Sequence, residues 1–93
     1  MLKLDLSTQF KKDLKKIKKQ GKDKEKLNAV IRILQKEMSL PKKHLDHELL
    51  GNWKGYRECH ITPDWLLIYK IHTENIRLLR LSRTGSHADL FKK

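Results

Sequence analysis

The chain has 93 residues, of which 35% are charged and 6% are aromatic. This length suits one small domain over residues 1–93 with a single modest core, and it argues against a second domain. A membrane span needs about 20 apolar residues, which the sequence lacks, and its first residues lack the apolar segment of a secretion signal. We therefore expect a cytoplasmic protein without membrane contact, and a single cysteine, Cys59, rules out an internal disulfide.

Net charge is the strongest feature of the composition. Twenty-two lysine and arginine residues stand against eleven acidic residues, which gives a net charge of +11. Residues 1–43 hold fourteen basic and five acidic side chains, whereas residues 44–93 hold eight and six. So large a positive charge in so short a chain predicts a polyanionic or acidic partner.

The first half of the sequence predicts a short strand and two amphipathic helices. Residues 2–5 alternate apolar and charged side chains, as strands do. Helices are predicted over about 8–20 and about 23–37, and the short join at Gly21 predicts that they are antiparallel neighbours. The apolar residues that recur at helical spacing are Phe10, Leu14, Ile17, Leu27, Val30, Ile31, Leu34 and Met38.

Lysines cover the rest of the first helix. Like charges four residues apart on a helix repel by a few tenths of a kcal/mol per pair. A face that destabilises the free helix suggests a bound polyanion, although a merely solvated face is the alternative. The six lysines are Lys11, Lys12, Lys15, Lys16, Lys18 and Lys19.

The second half of the sequence predicts strands. Residues 56–61, 65–71 and 76–82 are rich in β-branched, aromatic and large aliphatic side chains, and turn signals at 62–64 and 73–75 separate them. Short connections force antiparallel pairing, so we predict an α+β fold. In it, the two helices pack on one face of a mainly antiparallel sheet of four or five strands, and the other face is open to a ligand.

Two further segments flank the predicted strands. Residues 45–50 suit either another strand or an extended lead-in. Residues 86–91 suit either a short helical turn or an ordered tail.

Several side chains in the second half can transfer a proton or bind a phosphate. Cleavage of RNA without a metal needs a base for the 2′-hydroxyl, an acid for the departing 5′-oxygen, and cations for the phosphoryl oxygens. Histidine suits both proton roles near neutral pH, and arginine donates two hydrogen bonds to one phosphate. The candidates are His47, His60, Asp64 and His87 for proton transfer, and Arg57 and Arg83 for phosphate.

Strand pairing predicts which of these residues meet. His60 ends one strand, Asp64 lies in the next turn, and Arg83 and His87 follow the last strand, so all four are expected at one edge of the sheet. The pattern does not place His47. Simpler roles compete: the histidines as capping or solvated residues, Asp64 as a turn residue that bonds its own backbone, and Arg83 as a partner of Asp89 only.

Metal and aromatic sites are the other possibilities. Histidine, cysteine and aspartate donors occur, but no tight ligand spacing does, so no metal and no cofactor is predicted. Trp65 is most simply a core aromatic, and Phe91 a C-terminal plug. An aromatic beside the catalytic edge can instead stack on a base.

The motifs in the second half resemble the YafQ branch of the RelE/ParE toxin superfamily, which comprises toxins of bacterial type II toxin-antitoxin pairs. The resemblance rests on Asp46 to Gly51, Trp53 to Arg57, Tyr56 to Trp65, and Arg83 to Phe91. It implies a RelE-like fold and ribosome-dependent cleavage of messenger RNA.

The resemblance also implies roles for individual residues. His47, His60, Asp64 and His87 match the proton-transfer set, Arg83 the phosphate-binding residue, and Phe91 the aromatic that positions substrate. We assign His87 as general acid and His60 or Asp64 as general base, with His47 assisting. Arg57 is a second candidate for phosphate and Trp65 for stacking.

Partners follow from the same resemblance. It implies a small acidic antitoxin that covers the basic surface, commonly in a two-plus-two assembly, with operator DNA contacted only through that antitoxin. The ribosome and messenger RNA are the other expected partners, with the six lysines binding either the ribosome or the antitoxin. Two alternatives are a non-catalytic RNA- or ribosome-binding module and a ParE-like toxin that poisons DNA gyrase.

Overall fold

The structure is a computed structural model that describes residues 1–73 and 76–91. Eight helices and strands make up most of the described residues. In chain order they are β1 (Lys3–Leu6), α1 (Thr8–Lys19), α2 (Lys24–Gln35), β2 (His47–Glu48), β3 (Arg57–Thr62), β4 (Trp65–His72), β5 (Leu78–Gly85) and α3 (His87–Leu90). Short 3₁₀ turns at Lys42–His44 and Gly51–Trp53 flank β2.

The five strands form one sheet in the order β1-β5-β4-β3-β2. Strands β2 to β5 pair antiparallel, whereas β1 pairs parallel to β5. The predicted α+β fold, with a mainly antiparallel sheet, is confirmed. The parallel position of β1 beside β5 was not predicted, because alternation within four residues does not identify a partner strand.

Capping residues set the starts of the first two helices. The Ser7 hydroxyl accepts a hydrogen bond from the Phe10 N–H (2.9 Å), and the Asp23 carboxylate accepts one from the Glu25 N–H (3.0 Å). At the end of α2 the chain turns through Glu37, whose φ is +57°. Met38 therefore lies beyond the helix and is 60% exposed, so its predicted place in the apolar stripe is wrong.

The main core lies between the helices and one face of the sheet. Its members come from α1, α2 and alternate positions of the strands, including Phe10, Ile17, Leu27, Val30, Leu34, Cys59, Trp65, Leu67, Tyr69, Leu79 and Leu81. The opposite face carries a smaller cluster of Leu66, Ile68 and Leu90. This second face, which we call the open face, has no long helix over it among the described residues.

Strand β5 continues to Gly85, three residues beyond the predicted end at Ser82. It does so because residues 83–85 pair with Ile68, Leu67 and Leu66 at the start of β4. The predicted turn at 73–75 falls partly outside the described residues. In the part of the chain that the structure describes, no helix is both long and apolar enough to cross a membrane.

Candidate active site

Strand register lines up one row of residues across the open face. His47 of β2 is opposite Glu58 of β3, Glu58 is opposite Ile68 of β4, and Ile68 is opposite Arg83 of β5. Residues directly opposite one another leave the sheet on the same face. His60 lies two residues after Glu58 and therefore shares this face.

Glu58 lies between two of the candidate histidines. Its side chain is only 7% exposed, and its Oε1 lies 3.7 Å from the Nε2 atom of both His47 and His60. A buried carboxylate is stabilised by such cationic or hydrogen-bonding neighbours. The sequence analysis missed Glu58, although its two-residue spacing from His60 on a predicted strand was the signal that the two side chains share a face.

His60 is fixed from several sides. Its Nδ1–H faces the carbonyl oxygen of Pro63 (3.2 Å), and its own carbonyl accepts a hydrogen bond from the buried His44 ring (2.6 Å). The His60 side chain is 14% exposed. His44 thus supports the backbone of the site and does not face the open side with the other histidines.

His87 comes from a different element, α3, and joins His60 in space. The Ser86 hydroxyl caps α3 by accepting from the Asp89 N–H (3.2 Å). The His87 ring centroid lies 5.8 Å from that of His60, and its Nδ1 lies 3.8 Å from the Asp64 Oδ1. The structure therefore brings together three of the four predicted proton-transfer residues, His60, Asp64 and His87.

Phe91 and His47 border this group. The Phe91 ring centroid lies 6.3 Å from that of His87, and the residue is 37% exposed. The His47 side chain is 51% exposed, and its Nδ1–H donates to the Leu45 carbonyl (2.7 Å). The pairing of β2 with β3 places His47, which the sequence could not do.

Arg83 is held by α1. Its Nε–H and Nη2–H donate to the two carboxylate oxygens of Asp13, at 2.8 and 3.3 Å. Its side chain remains 22% exposed. The alternative that Arg83 pairs with Asp89 is wrong, because Asp89 pairs with Lys16, whose Nζ lies 2.7 Å from Oδ1.

Arg57 lies on the other face of the sheet from the histidines, so its predicted role in binding the phosphate at this site is wrong. It is opposite Tyr69 in the sheet register and therefore leaves β3 on the helix-covered face. Its guanidinium donates to Asp46 (3.3 and 3.4 Å), which also accepts the Tyr69 hydroxyl (2.6 Å). Burial lowers the pKa of Arg57, but the hydrogen bonds to Asp46 and Tyr69 outweigh it and leave that pKa raised.

Trp65 is a core aromatic, as the simpler interpretation held, and its alternative role in stacking on a base is wrong. It is 2% exposed and belongs to the main core on the helix-covered face. Its indole N–H donates to the hydroxyl of Thr84 (2.9 Å). Successive side chains of β4 lie on opposite faces of the sheet, and the Trp65 ring lies on the face away from the open one.

The lysines of α1 are all exposed, which suits both a binding face and a merely solvated one. Lys11, Lys15 and Lys18 also border a groove of about 410 Å³ between α1 and the start of α2, with Leu14 and Ile17 at its base. Lys16 differs because it is tied to Asp89. The binding role of the lysines stays a prediction.

Three of the clustered side chains fit a metal ion. Glu58, His60 and His87 offer donor atoms that all lie within 4.8 Å of one another. Carboxylate and imidazole donors suit zinc or copper, and a bound ion would supply Lewis-acid chemistry there. No ligand motif is visible in the sequence, because the donors come from two separate segments.

Comparison with known proteins gives a consistent family. The model of the YafQ toxin family, described as a bacterial toxin of type II toxin-antitoxin systems, matches residues 2–92. The mRNA interferase toxin YafQ of Escherichia coli K12 is 45% identical over 89 residues, which is 95% of this chain and 94% of that protein.

Solved structures agree with the sequence match. The toxin in the E. coli DinJ-YafQ toxin-antitoxin complex is 45% identical, with a TM-score of 0.86 over 97% of both chains. A metal-bound toxin from Helicobacter pylori is 44% identical, with a TM-score of 0.90 over 98% of this chain and all of that one.

Proposed function

Because the chain belongs to the YafQ family of toxins from bacterial type II toxin-antitoxin systems, we propose that it is an endoribonuclease that cleaves messenger RNA. The observation that carries the proposal is the meeting of His60, Asp64 and His87 on the open face, although they come from separate elements. The name of the E. coli relative, an mRNA interferase, supports the choice of substrate.

The reaction proceeds by general acid-base catalysis. The base takes the proton of the 2′-hydroxyl, whose oxygen bonds to phosphorus while the bond from phosphorus to the 5′-oxygen breaks. The acid then gives its proton to that 5′-oxygen, which leaves a cyclic phosphate. The attacking 2′-oxygen and the leaving 5′-oxygen lie on opposite sides of one phosphorus, so base and acid must face each other across a single phosphate. The ring centroids of His60 and His87, 5.8 Å apart, are compatible with this.

His87 is the general acid. It is 55% exposed, so the ring nitrogen that does not face Asp64 is open to the departing oxygen. Asp64, at 79% exposure, either stabilises the protonated His87 or accepts the 2′-hydroxyl proton itself. His60 is the other candidate base, because Glu58 and Pro63 hold its ring in one orientation.

The remaining residues hold the substrate. Arg83 binds the phosphoryl oxygens through the guanidinium N–H groups that Asp13 does not occupy. Phe91 stacks on a base beside the scissile linkage, which its partly exposed ring permits. His47 assists through Glu58, which it shares with His60.

The proposal includes the cellular setting. An acidic antitoxin silences the enzyme, which the DinJ-YafQ complex of the E. coli relative supports. Cleavage depends on the ribosome and takes place in the cytoplasm. The net charge of +11 supports docking to ribosomal RNA, because phosphate contacts by lysine and arginine release counterions.

Primer extension on messenger RNA from cells that briefly express the chain without its antitoxin tests the proposal. Wild type should produce new cuts within translated frames, and His87→Gln should produce none while remaining folded and bound to antitoxin. His72→Gln is the matched control, because His72 ends β4 opposite Leu78, away from the cluster. Intact RNA with stalled growth would instead indicate gyrase poisoning or binding alone.

A further inference from the structure

We propose that Asp13 and Lys16 of α1 are positioning residues of the active site, with Asp13 aiming Arg83 and Lys16 holding the helix that carries His87. We call this pair the α1 brace. The inference rests on the proposed function for its kinetic consequences, whereas the arrangement itself can be tested without any cleavage.

Asp13 is a buried residue, and both of its carboxylate oxygens accept hydrogen bonds. It is 5% exposed, and its Oδ2 accepts both the Nε–H of Arg83 (2.8 Å) and the backbone N–H of Thr84 (3.1 Å). Its Oδ1 accepts from Arg83 Nη2 (3.3 Å) and from Gln9 (3.2 Å). Two parallel bonds fix the plane of the Arg83 guanidinium, and the bond to Thr84 fixes the strand from which Arg83 projects.

Lys16 secures a helix that has little else to hold it. Helix α3 is four residues long, and its one buried residue is Leu90. The Lys16 ammonium lies 2.7 Å from Asp89 Oδ1, so an ion pair between α1 and α3 holds this short helix in place. Because Asp89 is two residues after His87, loss of the ion pair frees the turn that carries the proposed general acid.

The path of the chain explains why α1 can reach both elements. Strand β1 pairs with β5 only as far as Leu81, so β1 leaves the β5 edge beyond that point open to other partners. Ser7 then binds this edge, donating its N–H to the Leu81 carbonyl (3.1 Å) and its hydroxyl to the Ser82 carbonyl (2.8 Å). Asp13 and Lys16 lie three residues apart, which puts them on neighbouring positions of one helix face.

A purely structural role is the competing explanation, and the same sheet offers a comparison. Asp5 of β1 binds Arg80 of β5 at 2.6 Å, so a second aspartate-arginine pair joins neighbouring elements. Arg80, unlike Arg83, is not in the row that contains Glu58 and His47. Breaking each pair should therefore have different kinetic consequences.

A double-mutant cycle tests Asp13. If Asp13 acts through Arg83, Asp13→Asn should lower single-turnover cleavage by about 10- to 100-fold, because a misplacement of about 1 Å can cost on that order. In the Arg83→Ala background, Asp13→Asn should then have no further effect. Asp5→Asn is the matched control and should cleave like wild type. Independent, multiplying losses from Asp13→Asn and Arg83→Ala would overturn this half of the proposal.

Asp89→Asn tests the Lys16 link without removing a lysine from the basic face. It should lower the maximal rate about tenfold while the concentration of ribosomes needed for half-maximal rate stays unchanged. Lys16→Met should cause the same loss of rate, and the charge swap Lys16→Asp with Asp89→Lys should restore part of it. Lys36→Met, an exposed lysine after α2, is the control.

NMR separates failure of the brace from failure of the proposed function. In wild type, the His60 and His87 rings are close enough for a nuclear Overhauser effect between them, and Asp89→Asn should weaken it while the amide signals of the sheet stay those of wild type. An unchanged Overhauser effect in Asp89→Asn would overturn the brace even if cleavage fell. If wild type never cut RNA and Asp89→Asn still moved the two rings apart, the nuclease would be overturned and the brace would stand as a structural link.

Discussion

Glu58 connects two histidines that lie in separate strands, His47 in β2 and His60 in β3. Its carboxylate lies 3.7 Å from the Nε2 of both His47 and His60 and is almost fully buried. A carboxylate in this position orients imidazoles and stabilises the charge that they acquire during proton transfer. We therefore expect it to matter for catalysis although its side chain is almost fully buried on the open face.

Glu58→Gln should keep the shape of the side chain and lower messenger-RNA cleavage by about 10- to 100-fold, in the range that general acid-base groups contribute. The measurement is single-turnover cleavage on translating ribosomes. Glu48→Gln is the control, because Glu48 is 79% exposed and faces Arg57 at 3.7 Å. Equal rates for the two variants would remove Glu58 from the mechanism.

Cys59, the residue after Glu58, lies on the other face of β3 and is buried in the main core. Burial raises the pKa of its thiol to about 12, with Asp46 and Glu58 adding to the effect. At pH 8 only about one thiol in ten thousand would be ionised, and the thiolate is the reactive form. Iodoacetamide should therefore leave the folded protein unmodified and alkylate it rapidly in urea.

The sign of the linked stability follows from the raised pKa. The buried, protonated Cys59 thiol contributes fully to the stability of the fold below about pH 9, the pKa of an unperturbed thiol. This contribution is lost as pH rises toward 12. Alkylation of the folded chain at the rate seen in urea would contradict the burial of Cys59.

The kinds of residue that form the site were easier to predict than the face of the sheet on which each side chain lies. The sequence identified His60, Asp64 and His87, whose segments meet in the structure. It misplaced Arg57 and Trp65, because their chemistry suits RNA binding while strand alternation turns them to the helix-covered face. Applying the two-residue period strictly from His60 would have excluded Arg57 and selected Glu58.

Among the secondary structure elements, α3 is four residues long and is tied to α1 by the Lys16–Asp89 ion pair. The Lys16 ammonium holds the pKa of Asp89 at about 2, below its usual value near 4. A lowered carboxyl pKa means that the ion pair stabilises the fold fully above about pH 4 and loses that effect as pH falls toward 2.

Thermal melting of wild type and Asp89→Asn at several pH values measures this link. Wild type should melt higher at pH 6, and the difference should shrink between pH 4 and pH 2. The ionic strength is held constant, because Lys16 is half-exposed and salt screens its charge. A difference that persists unchanged at pH 2 would show that the ion pair is not its cause.

Helices and strands were predictable where a local sequence pattern defines them. They were less predictable where their bounds depend on pairing with a distant strand. Helices α1 and α2 and strands β3 and β4 lie close to their predicted bounds, because apolar periodicity and turn residues define them. The parallel position of β1, the extension of β5 and the two-residue β2 depend on distant partners. His47 could not be placed for the same reason, since only the pairing of β2 with β3 fixes it.

At the scale of the whole molecule, the charged side chains of α1 fall into two groups, one exposed to solvent and one bound to neighbouring elements. Its lysines other than Lys16 face outward, whereas Asp13 binds Arg83 of β5 and Lys16 binds Asp89 of α3. The predicted binding face therefore excludes Lys16, whose replacement would disturb the active site as well. Lys11, Lys12 and Lys15 test docking more cleanly, because within the described residues they take part in no ion pair with an acidic side chain.

Reversing these three lysines to glutamate should weaken ribosome binding, and the effect should be largest at low salt. Each phosphate contact contributes to the dependence of log affinity on log salt concentration, so the triple variant should show a slope shallower by about two to three. The measurement is ribosome cosedimentation over a range of potassium concentrations, with His87→Gln as the background so that messenger RNA stays intact. Glutamate at Lys3, Lys36 and Lys42 is the control, because it changes net charge equally on exposed sites outside α1. Equal loss of binding in both triple variants would show that net charge, and not the α1 face, steers the toxin to the ribosome. If neither variant lost binding, the lysines would have no part in docking.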